Sequence, residues 1–223
     1  MDRLFDLDNG FFRFMGKVFD MIVLNILCLI TCIPIVTIGP SVTALYYVAM
    51  KLVRDEEGYV VRGYFKAFKE NFKKAFIIEL IVAVCAALLY VDITVTYQWM
   101  QQDTGFLIRL LFYALVGLTL LAVVSVVYVF PVLAKFENTV KKILINSIMM
   151  SVRHLSWSVL MVVVIIAAGV AVYIYPIAIF FVIGAAAAIN SIILRKIFDN
   201  YIKIDSEGKV IEEENKIEET QDE

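Results

Sequence analysis

The sequence predicts an all-α fold: a polytopic transmembrane helical bundle of five to six membrane segments with two amphipathic cytoplasmic helices. Three observations lead to this prediction. Hydrophobic residues make up 61% of the 223 residues and charged residues 19%, and the mean hydropathy is +0.84. Soluble domains are closer to half apolar and a quarter charged. Apolar runs of bilayer-spanning length recur along the chain, and lysine and arginine are concentrated in alternate connections between them.

The first apolar run covers residues 18–38, and a shorter one covers residues 41–53. Gly39 and Pro40, in the sequence TIGP, separate the two runs because neither residue continues a helix well. A signal peptide is the rival interpretation of the first run, but no A-x-A cleavage site follows it and further apolar runs do. We expect a hairpin with its turn at residues 37–40, which leaves the N-terminus inside. The alternative is five spans with the N-terminus outside.

Further apolar runs cover residues 75–97, 106–133, 157–175 and 177–194, with Pro176 at the turn of the last pair. Seven basic residues lie between Lys51 and Lys74 and four between Lys135 and Arg153, whereas residues 98–105 contain none. Because basic connections stay in the cytoplasm, these two connections and the C-terminus are predicted to be inside.

Charge divides the chain into two parts. Residues 1–204 are predicted to form a single transmembrane domain, and residues 205–223 an acidic, disordered cytoplasmic tail. The tail contributes −7 to the net charge of −2, which leaves +5 for the rest of the chain.

The first amphipathic helix is predicted within residues 64–76, where aromatic and basic side chains alternate at helical spacing. Such a helix lies in the headgroup plane, with its rings toward the acyl boundary and its lysines toward the anionic inner leaflet. A span that begins within a turn of Lys74 leaves little room for a nucleic acid. The residues expected at the membrane interface are Phe65, Lys66, Phe68, Lys69, Phe72, Lys73 and Lys74.

The second amphipathic helix is predicted within residues 137–155, with Asn138 as its N-terminal cap. Three positions are open for it: on lipid, against the underside of the bundle, or facing a soluble partner. His154 is the single histidine of the chain, and we expect an interfacial structural role for it. The residues expected to contact a partner are Asn138, Lys141, Lys142, Asn146, Arg153 and His154.

Polar residues within the spans are the remaining candidates for function, because ionisable groups in a membrane are costly. These residues are Asn25, Glu79, Asp92 and Asn190. Snorkelling and hydrogen bonds between helices explain them more simply than proton transport, and Glu79 is expected to reach toward Lys73 or Lys74.

The sequence contains no pattern that indicates a catalytic site. Cys28 and Cys32 share a helix face, but two thiols are too few ligands for zinc, and a structural role is expected for them and for Cys85. The sequence contains no P-loop, HExxH, GxSxG or CxxC motif. No catalytic, cofactor or metal site is therefore predicted, and we expect the protein not to be an enzyme.

Three segments carry a family resemblance: IPIVTIGPSVTALYYVAMKLVRDEEGYVVRGYFKAFKENFKKA, FPVLAKFENTVKKILINSIMMSVRHL and INSIILRKIFDNY. Over residues 10–202 the chain resembles the YesL family of bacterial membrane proteins, also described as DUF624. The resemblance implies a location in the bacterial cytoplasmic membrane. It also implies gene neighbourhoods that contain carbohydrate ABC importers and polysaccharide-degrading enzymes. The family has no established activity, so no site residues carry over from it.

Two functions follow from this resemblance and the residues. The first is an accessory or regulatory subunit that binds the permease or the ATPase of a carbohydrate ABC importer. The alternative is a small stand-alone transporter of a saccharide or an ion. The sequence does not indicate an oligomeric state.

Overall fold

A computed structural model describes residues 10–54, 56, 58–102, 105–199, 202–204 and 210–212. These residues form seven α-helices and one pair of short strands. The helices are α1 (Gly10–Thr31), α2 (Ile38–Val53), α3 (Val60–Gln102), α4 (Phe106–Lys135), α5 (Val140–Arg153), α6 (Leu155–Ile174) and α7 (Ile179–Phe198). The strands are β1 (Ile202–Ile204) and β2 (Val210–Glu212), which pair antiparallel with Lys203 opposite Ile211. The all-α helical bundle predicted from the sequence is confirmed.

The break between α1 and α2 lies earlier than the sequence analysis predicted. Helix α1 ends at Thr31, and a 3₁₀ turn over Ile35–Thr37 precedes α2. Pro34 is extended, since its ring would clash with the preceding turn if α1 continued. Gly39 and Pro40 lie inside the first turn of α2. Proline is tolerated there because the first N–H groups of a helix have no partner within it. The turn predicted at residues 37–40 is therefore wrong by several residues.

Helix α7 shows that α1 and α2 form a hairpin. The Asn25 amide donates to the Ile179 carbonyl at 2.9 Å, and the Met21 carbonyl lies next to Gly184, so α1 runs antiparallel to α7. Helix α2 runs parallel to α7, because Tyr46 meets Asn190 and Arg54 meets Asp199 farther along both helices. Helices α1 and α2 are therefore antiparallel to each other, which is the geometry of the preferred hairpin arrangement; the side of the membrane on which the N-terminus lies stays a prediction.

Helix α3 is a single helix of 43 residues, about 64 Å long at 1.5 Å per residue. Most of its buried residues lie in the first half, between Val60 and Ile78, where Gly63 packs against Val48 of α2; Thr96 is buried in the second half. The second half carries mainly exposed apolar side chains from Leu80 onward. The amphipathic helix predicted within residues 64–76 is therefore not a separate helix in the headgroup plane but the first part of α3, which continues into the next span. The second predicted amphipathic helix is a separate element, α5.

Two helical hairpins carry most of the exposed apolar surface. Helices α3 and α4 approach each other where the Tyr97 and Phe112 rings lie 6.0 Å apart, and α6 and α7 turn back on each other at Pro176, as predicted. Lys196 of α7 then lies over the Trp157 ring near the start of α6. One end of the bundle thus contains the C-terminal ends of α2, α4 and α7 and the beginnings of α3 and α6. We call it the basic end of the bundle, because it carries Lys51, Arg54 and Arg195.

Five helices in the described part of the chain are long and apolar enough to cross a membrane. They comprise residues Ile35–Val53, Val60–Gln101, Phe106–Lys135, Leu155–Ile174 and Pro176–Phe198. The first of them is 56% buried inside the protein over its most apolar window, compared with 6% for the second and third. Helix α2 is therefore enclosed by protein, while α3 and α4 expose apolar surface to their surroundings. This surface indicates a membrane protein.

The short strand pair was not anticipated from the sequence. Residues Val210–Glu212 belong to the segment predicted as a disordered tail, yet they pair with Ile202–Ile204. The tail residues 205–209 and 213–223 lie outside the described residues.

Candidate functional sites

A cluster of hydroxyl groups surrounds the break between α1 and α2. The Thr37 hydroxyl donates to the Thr31 carbonyl at 2.6 Å, and the Ser41 hydroxyl donates to the Thr37 carbonyl at 2.6 Å. The buried Tyr64 hydroxyl of α3 shares a hydrogen bond with the Thr31 side chain and approaches the Ser41 carbonyl at 3.4 Å. Together with Glu79, these residues form what we call the hairpin cluster. Their side chains form hydrogen bonds with backbone groups that have no helical partner at the break. An apolar environment requires this, because no water is present to bind such groups.

Glu79 holds the beginning of α2 against α3. The Gly39 N–H, one of the unpaired groups in the first turn of α2, donates to Glu79 Oε2 at 3.1 Å. A carboxylate is favourable at this position because the N-terminus of a helix carries a partial positive charge. The expectation that Glu79 reaches toward Lys73 or Lys74 is therefore not what the structure shows.

Gly39 lies where α2 is in close contact with α3 and α4. A Cβ atom at this position would lie 3.0 Å from the Ala75 carbonyl oxygen, 3.0 Å from the Phe130 ring and 3.1 Å from Glu79 Cβ. These distances are tighter than most real Cβ contacts, so a side chain here requires its neighbours, among them the backbone of α3, to move by a few tenths of an ångström. The glycine in TIGP is therefore explained by close packing of α2 on α3 rather than by a turn.

The other polar residues of the spans lie apart from this cluster. Asn25 and Asn190 are fully buried, and each uses its amide nitrogen in a contact with another helix. Their amide oxygens and the Ser191 hydroxyl have no hydrogen-bond partner in the described part of the chain. Asp92 is exposed on α3. The structure does not bring the four predicted residues into one site.

The cysteine pair lies at the end of α1, next to the hairpin cluster. The sulfur atoms of Cys28 and Cys32 are 3.8 Å apart, with Cys28 buried and Cys32 half-buried. Cys85 is exposed on α3. Among the described residues no group of three or more His, Cys, Asp or Glu side chains is placed to hold a metal ion.

The residues predicted to face lipid at residues 64–76 are divided between two faces of α3. The Phe68 ring is half-buried, packs against the core, and stacks on buried Tyr64 with ring centroids 6.4 Å apart. Phe65 is exposed, and Phe72 is half-buried beside Phe68. The expectation that all the rings face the acyl boundary is therefore wrong for Phe68. The four lysines of this set, Lys66, Lys69, Lys73 and Lys74, lie on the same helix, and Lys66 and Lys69 are exposed.

Helix α5 is attached to the bundle through buried hydroxyl groups. Ser151 of α5 contacts Ser125 of α4, with their oxygens 2.9 Å apart, and the Ser158 hydroxyl of α6 donates to the Ser151 carbonyl at 3.0 Å. Tyr128 of α4 completes the network with a 2.8 Å contact to Ser158. These contacts place one face of α5 against α4 and α6, so the bundle-packing position is the one observed.

The opposite face of α5 exposes a stripe of apolar side chains that the sequence analysis missed. Ile145, Ile148, Met149 and Val152 are each between 45% and 54% exposed. Their spacing of three and four residues is that of a helix seated in a groove. We call these four residues the α5 stripe. The sequence shows apolar residues at helical spacing in this segment, but the spacing alone does not indicate that they lie on two opposite faces of the helix.

The predicted partner-contact residues surround this stripe. Lys141, Lys142 and Arg153 are exposed, whereas Asn146 and His154 are half-buried. The backbone carbonyl of His154 accepts the Ser158 hydroxyl at 2.9 Å, in agreement with a structural position between α5 and α6. Asn138 does not cap α5, because the residue at the N-cap is Thr139 and its side chain makes no capping bond.

The basic end of the bundle contains an ion pair and a cavity. Arg54 and Asp199 join the ends of α2 and α7, with Nη2 and Oδ1 3.0 Å apart. A cavity of about 170 Å³ opens between α2 and α3, with Lys51, Arg62 and Lys66 among its lining residues. This end of the molecule therefore presents positive charge, whichever side of a membrane it faces.

Comparison with known proteins relates the hairpin to a family. The family model "Protein of unknown function, DUF624" matches residues 21–93, which include the whole hairpin cluster. The chain is also similar to the uncharacterized protein YteU of Bacillus subtilis (strain 168), with 24% identity over 125 residues. That similarity covers 56% of this chain and 54% of YteU, so the chain spans about half the length of this curated relative. No solved structure matches the chain. The resemblance predicted from the sequence is confirmed over residues 21–93.

Proposed function

We propose, from the exposed α5 stripe together with the family resemblance, that this membrane protein is an accessory or regulatory subunit of a carbohydrate ABC importer. It would reside in the bacterial cytoplasmic membrane with its basic end and C-terminus in the cytoplasm. The importer itself is suggested by the gene neighbourhoods that the family resemblance implies. The proposal assigns the protein no catalytic activity of its own.

The α5 stripe is the observation that carries this proposal. Helix α5 is fixed to the bundle by Ser151, so its outer face is held rigidly rather than presented on a loop. A rigid apolar stripe needs no ordering before it docks, which lowers the entropic cost of association. The exposed cations Lys141 and Lys142 lie on the same helix and favour an acidic rim on the partner. A groove on the permease or the ATPase, with an apolar floor and an acidic edge, has the matching chemistry.

Affinity purification tests this proposal. The tagged protein, expressed in its own host during growth on a polysaccharide and extracted in mild detergent, should retain importer components. The variant Ile148→Ser should lose most of them, because it removes the centre of the stripe. Val61→Ser is a matched control, since Val61 is 47% exposed, as Ile148 is, but lies on α3. Wild-type protein without importer components, or equal loss in both variants, would refute the proposal.

A stand-alone transporter is the second candidate. Three buried groups have no hydrogen-bond partner among the described residues, and a saccharide hydroxyl or an ion would satisfy them: the amide oxygens of Asn25 and Asn190 and the Ser191 hydroxyl. Glu79 gives this candidate little support, because its carboxylate is bonded to the Gly39 N–H. Uptake of labelled saccharide or an ion current in liposomes that contain the protein alone would favour the transporter over the accessory subunit.

A further inference from the structure

The sulfur atoms of Cys28 and Cys32 are close enough for disulfide chemistry. They lie 3.8 Å apart, and a disulfide requires them to approach to about 2.05 Å. Residues four apart in a helix have Cα atoms about 6.2 Å from each other, which is within the range of roughly 4.4–6.8 Å seen in disulfides. Their Cβ atoms are about 5–6 Å apart, compared with roughly 3.5–4.5 Å in a disulfide, so the bond requires a shift of the backbone at one of the two residues. Cys32 is the first residue after α1, and its N–H donates to the Cys28 carbonyl at 2.9 Å. A shift of its backbone therefore breaks this terminal hydrogen bond and leaves the preceding turns of α1 in place.

The surroundings of this pair limit the reagents that reach it. Ile33, Ile35 and Val36, which follow Cys32 directly, are between 55% and 78% exposed. In a protein with this apolar surface, exposed aliphatic side chains at a helical hairpin contact lipid rather than water. Cys28 is only 3% exposed and lies behind the half-buried Cys32. The pair is therefore accessible to a lipid-soluble molecule and protected from most water-soluble ones.

We propose that Cys28 and Cys32 form a redox-active dithiol that is oxidised to an intramolecular disulfide by a lipid-soluble quinone. Two S–H bonds break and one S–S bond forms, so the two sulfur atoms are oxidised by two electrons in total. The quinone accepts these electrons, and the two thiol protons end on its carbonyl oxygens, giving a hydroquinone. The product holds the last turn of α1 to the residue that follows it, next to the hydroxyl contact between Thr31 and Tyr64.

The chain contains its own control for this reaction. Cys85 lies on the exposed part of α3 and has the same chemical group without a neighbouring thiol. A quinone that reacted with any exposed thiol would consume the Cys85 thiol as readily as the thiols of Cys28 and Cys32. Selective loss of Cys28 and Cys32 is therefore the distinguishing observation.

Thiol counting in liposomes tests the proposal. The reduced full-length protein is reconstituted without oxygen, a short-chain benzoquinone is added to the bilayer, and the remaining thiols are counted by maleimide tagging and mass spectrometry. We expect three thiols to fall to one, with one hydroquinone formed per chain. Cys85→Ser should fall from two thiols to none, whereas Cys28→Ala and Cys32→Ala should lose no thiol to a disulfide.

Three results would overturn the proposal. One is retention of all three thiols in the presence of quinone. Another is loss of thiol from Cys28→Ala at the wild-type rate. A third is loss of the Cys85 thiol at the same rate as the thiols of the pair. Circular dichroism before oxidation confirms that each variant retains its helices, so that a negative result is not caused by unfolding.

Discussion

Gly39→Ala tests how closely α2 packs on α3. The new Cβ atom would lie 3.0 Å from the Ala75 carbonyl oxygen, which belongs to the backbone of α3 and moves only if the helix moves. Overpacking of this kind costs about 1–3 kcal/mol. Alanine in a helix gains about 0.5–1 kcal/mol over glycine. We therefore expect a net loss of about 0–2.5 kcal/mol in the free energy of unfolding, and a loss of about 1–3 kcal/mol relative to a glycine-to-alanine change that meets no close contact.

Thermal unfolding in detergent, followed by circular dichroism, measures this change. A loss of about 1 kcal/mol shifts the midpoint by about 2–4 °C in a chain of roughly this length. Gly117→Ala is the matched control, because Gly117 lies within α4 and, apart from its chain neighbours and the adjacent backbone of its own helix, no described atom lies within 4 Å of the position that its Cβ would occupy. That variant should be as stable as wild type or slightly more stable. If Gly39→Ala were as stable as Gly117→Ala, the close approach of α2 and α3 would be refuted.

Three further predictions concern contacts between helices. Glu79→Leu should destabilise the protein by about 1–3 kcal/mol, because the Gly39 N–H loses its acceptor. Glu79→Gln keeps an acceptor oxygen and should therefore destabilise the protein less. Thermal unfolding of both variants measures the difference. Ser151→Ala and Ser125→Ala should each lower the free energy of unfolding by about 0.5–1.5 kcal/mol. In a double-mutant cycle the two losses should not add, because each variant removes the same contact. Strict additivity would contradict the 2.9 Å contact between the two hydroxyl oxygens. Arg54→Gln should change the free energy of unfolding by less than about 1 kcal/mol, and only at low salt, because its partner Asp199 is 54% exposed. A large loss of unfolding free energy that persists at high salt would show that Arg54 and Asp199 are not a surface ion pair.

The spans and the hairpin arrangement could be predicted from composition and charge. Long apolar runs identify membrane helices because the bilayer imposes their length, and this rule needs no knowledge of tertiary contacts. The predicted run 106–133 corresponds to α4, and the Pro176 turn is where the sequence indicates it. The break before α2 was misplaced because TIGP contains two helix-breaking residues, although Pro34 is the one that ends α1.

The roles of individual polar residues could not be predicted in the same way. Glu79 binds Gly39, a residue 40 positions earlier in the chain, and no local pattern indicates which backbone group a carboxylate will meet. The two faces of α5 share one apolar sequence pattern, so tertiary packing decides that Ile143 is buried and Ile148 is exposed. Phe68 was expected on lipid and instead packs on the core for the same reason. Sequence periodicity identifies an amphipathic helix, but it does not say what covers each face.

The most direct test of this account is the accessibility of its two ends in the membrane. Single cysteines at Lys66, near the basic end, and at Gln98, near the opposite end of α3, would be placed in a cysteine-free background and treated with an impermeant maleimide in intact cells. The account predicts labelling at position 98 from outside, and labelling at position 66 only after the membrane is permeabilised. Labelling of position 66 in intact cells, or of both positions from one side, would contradict it.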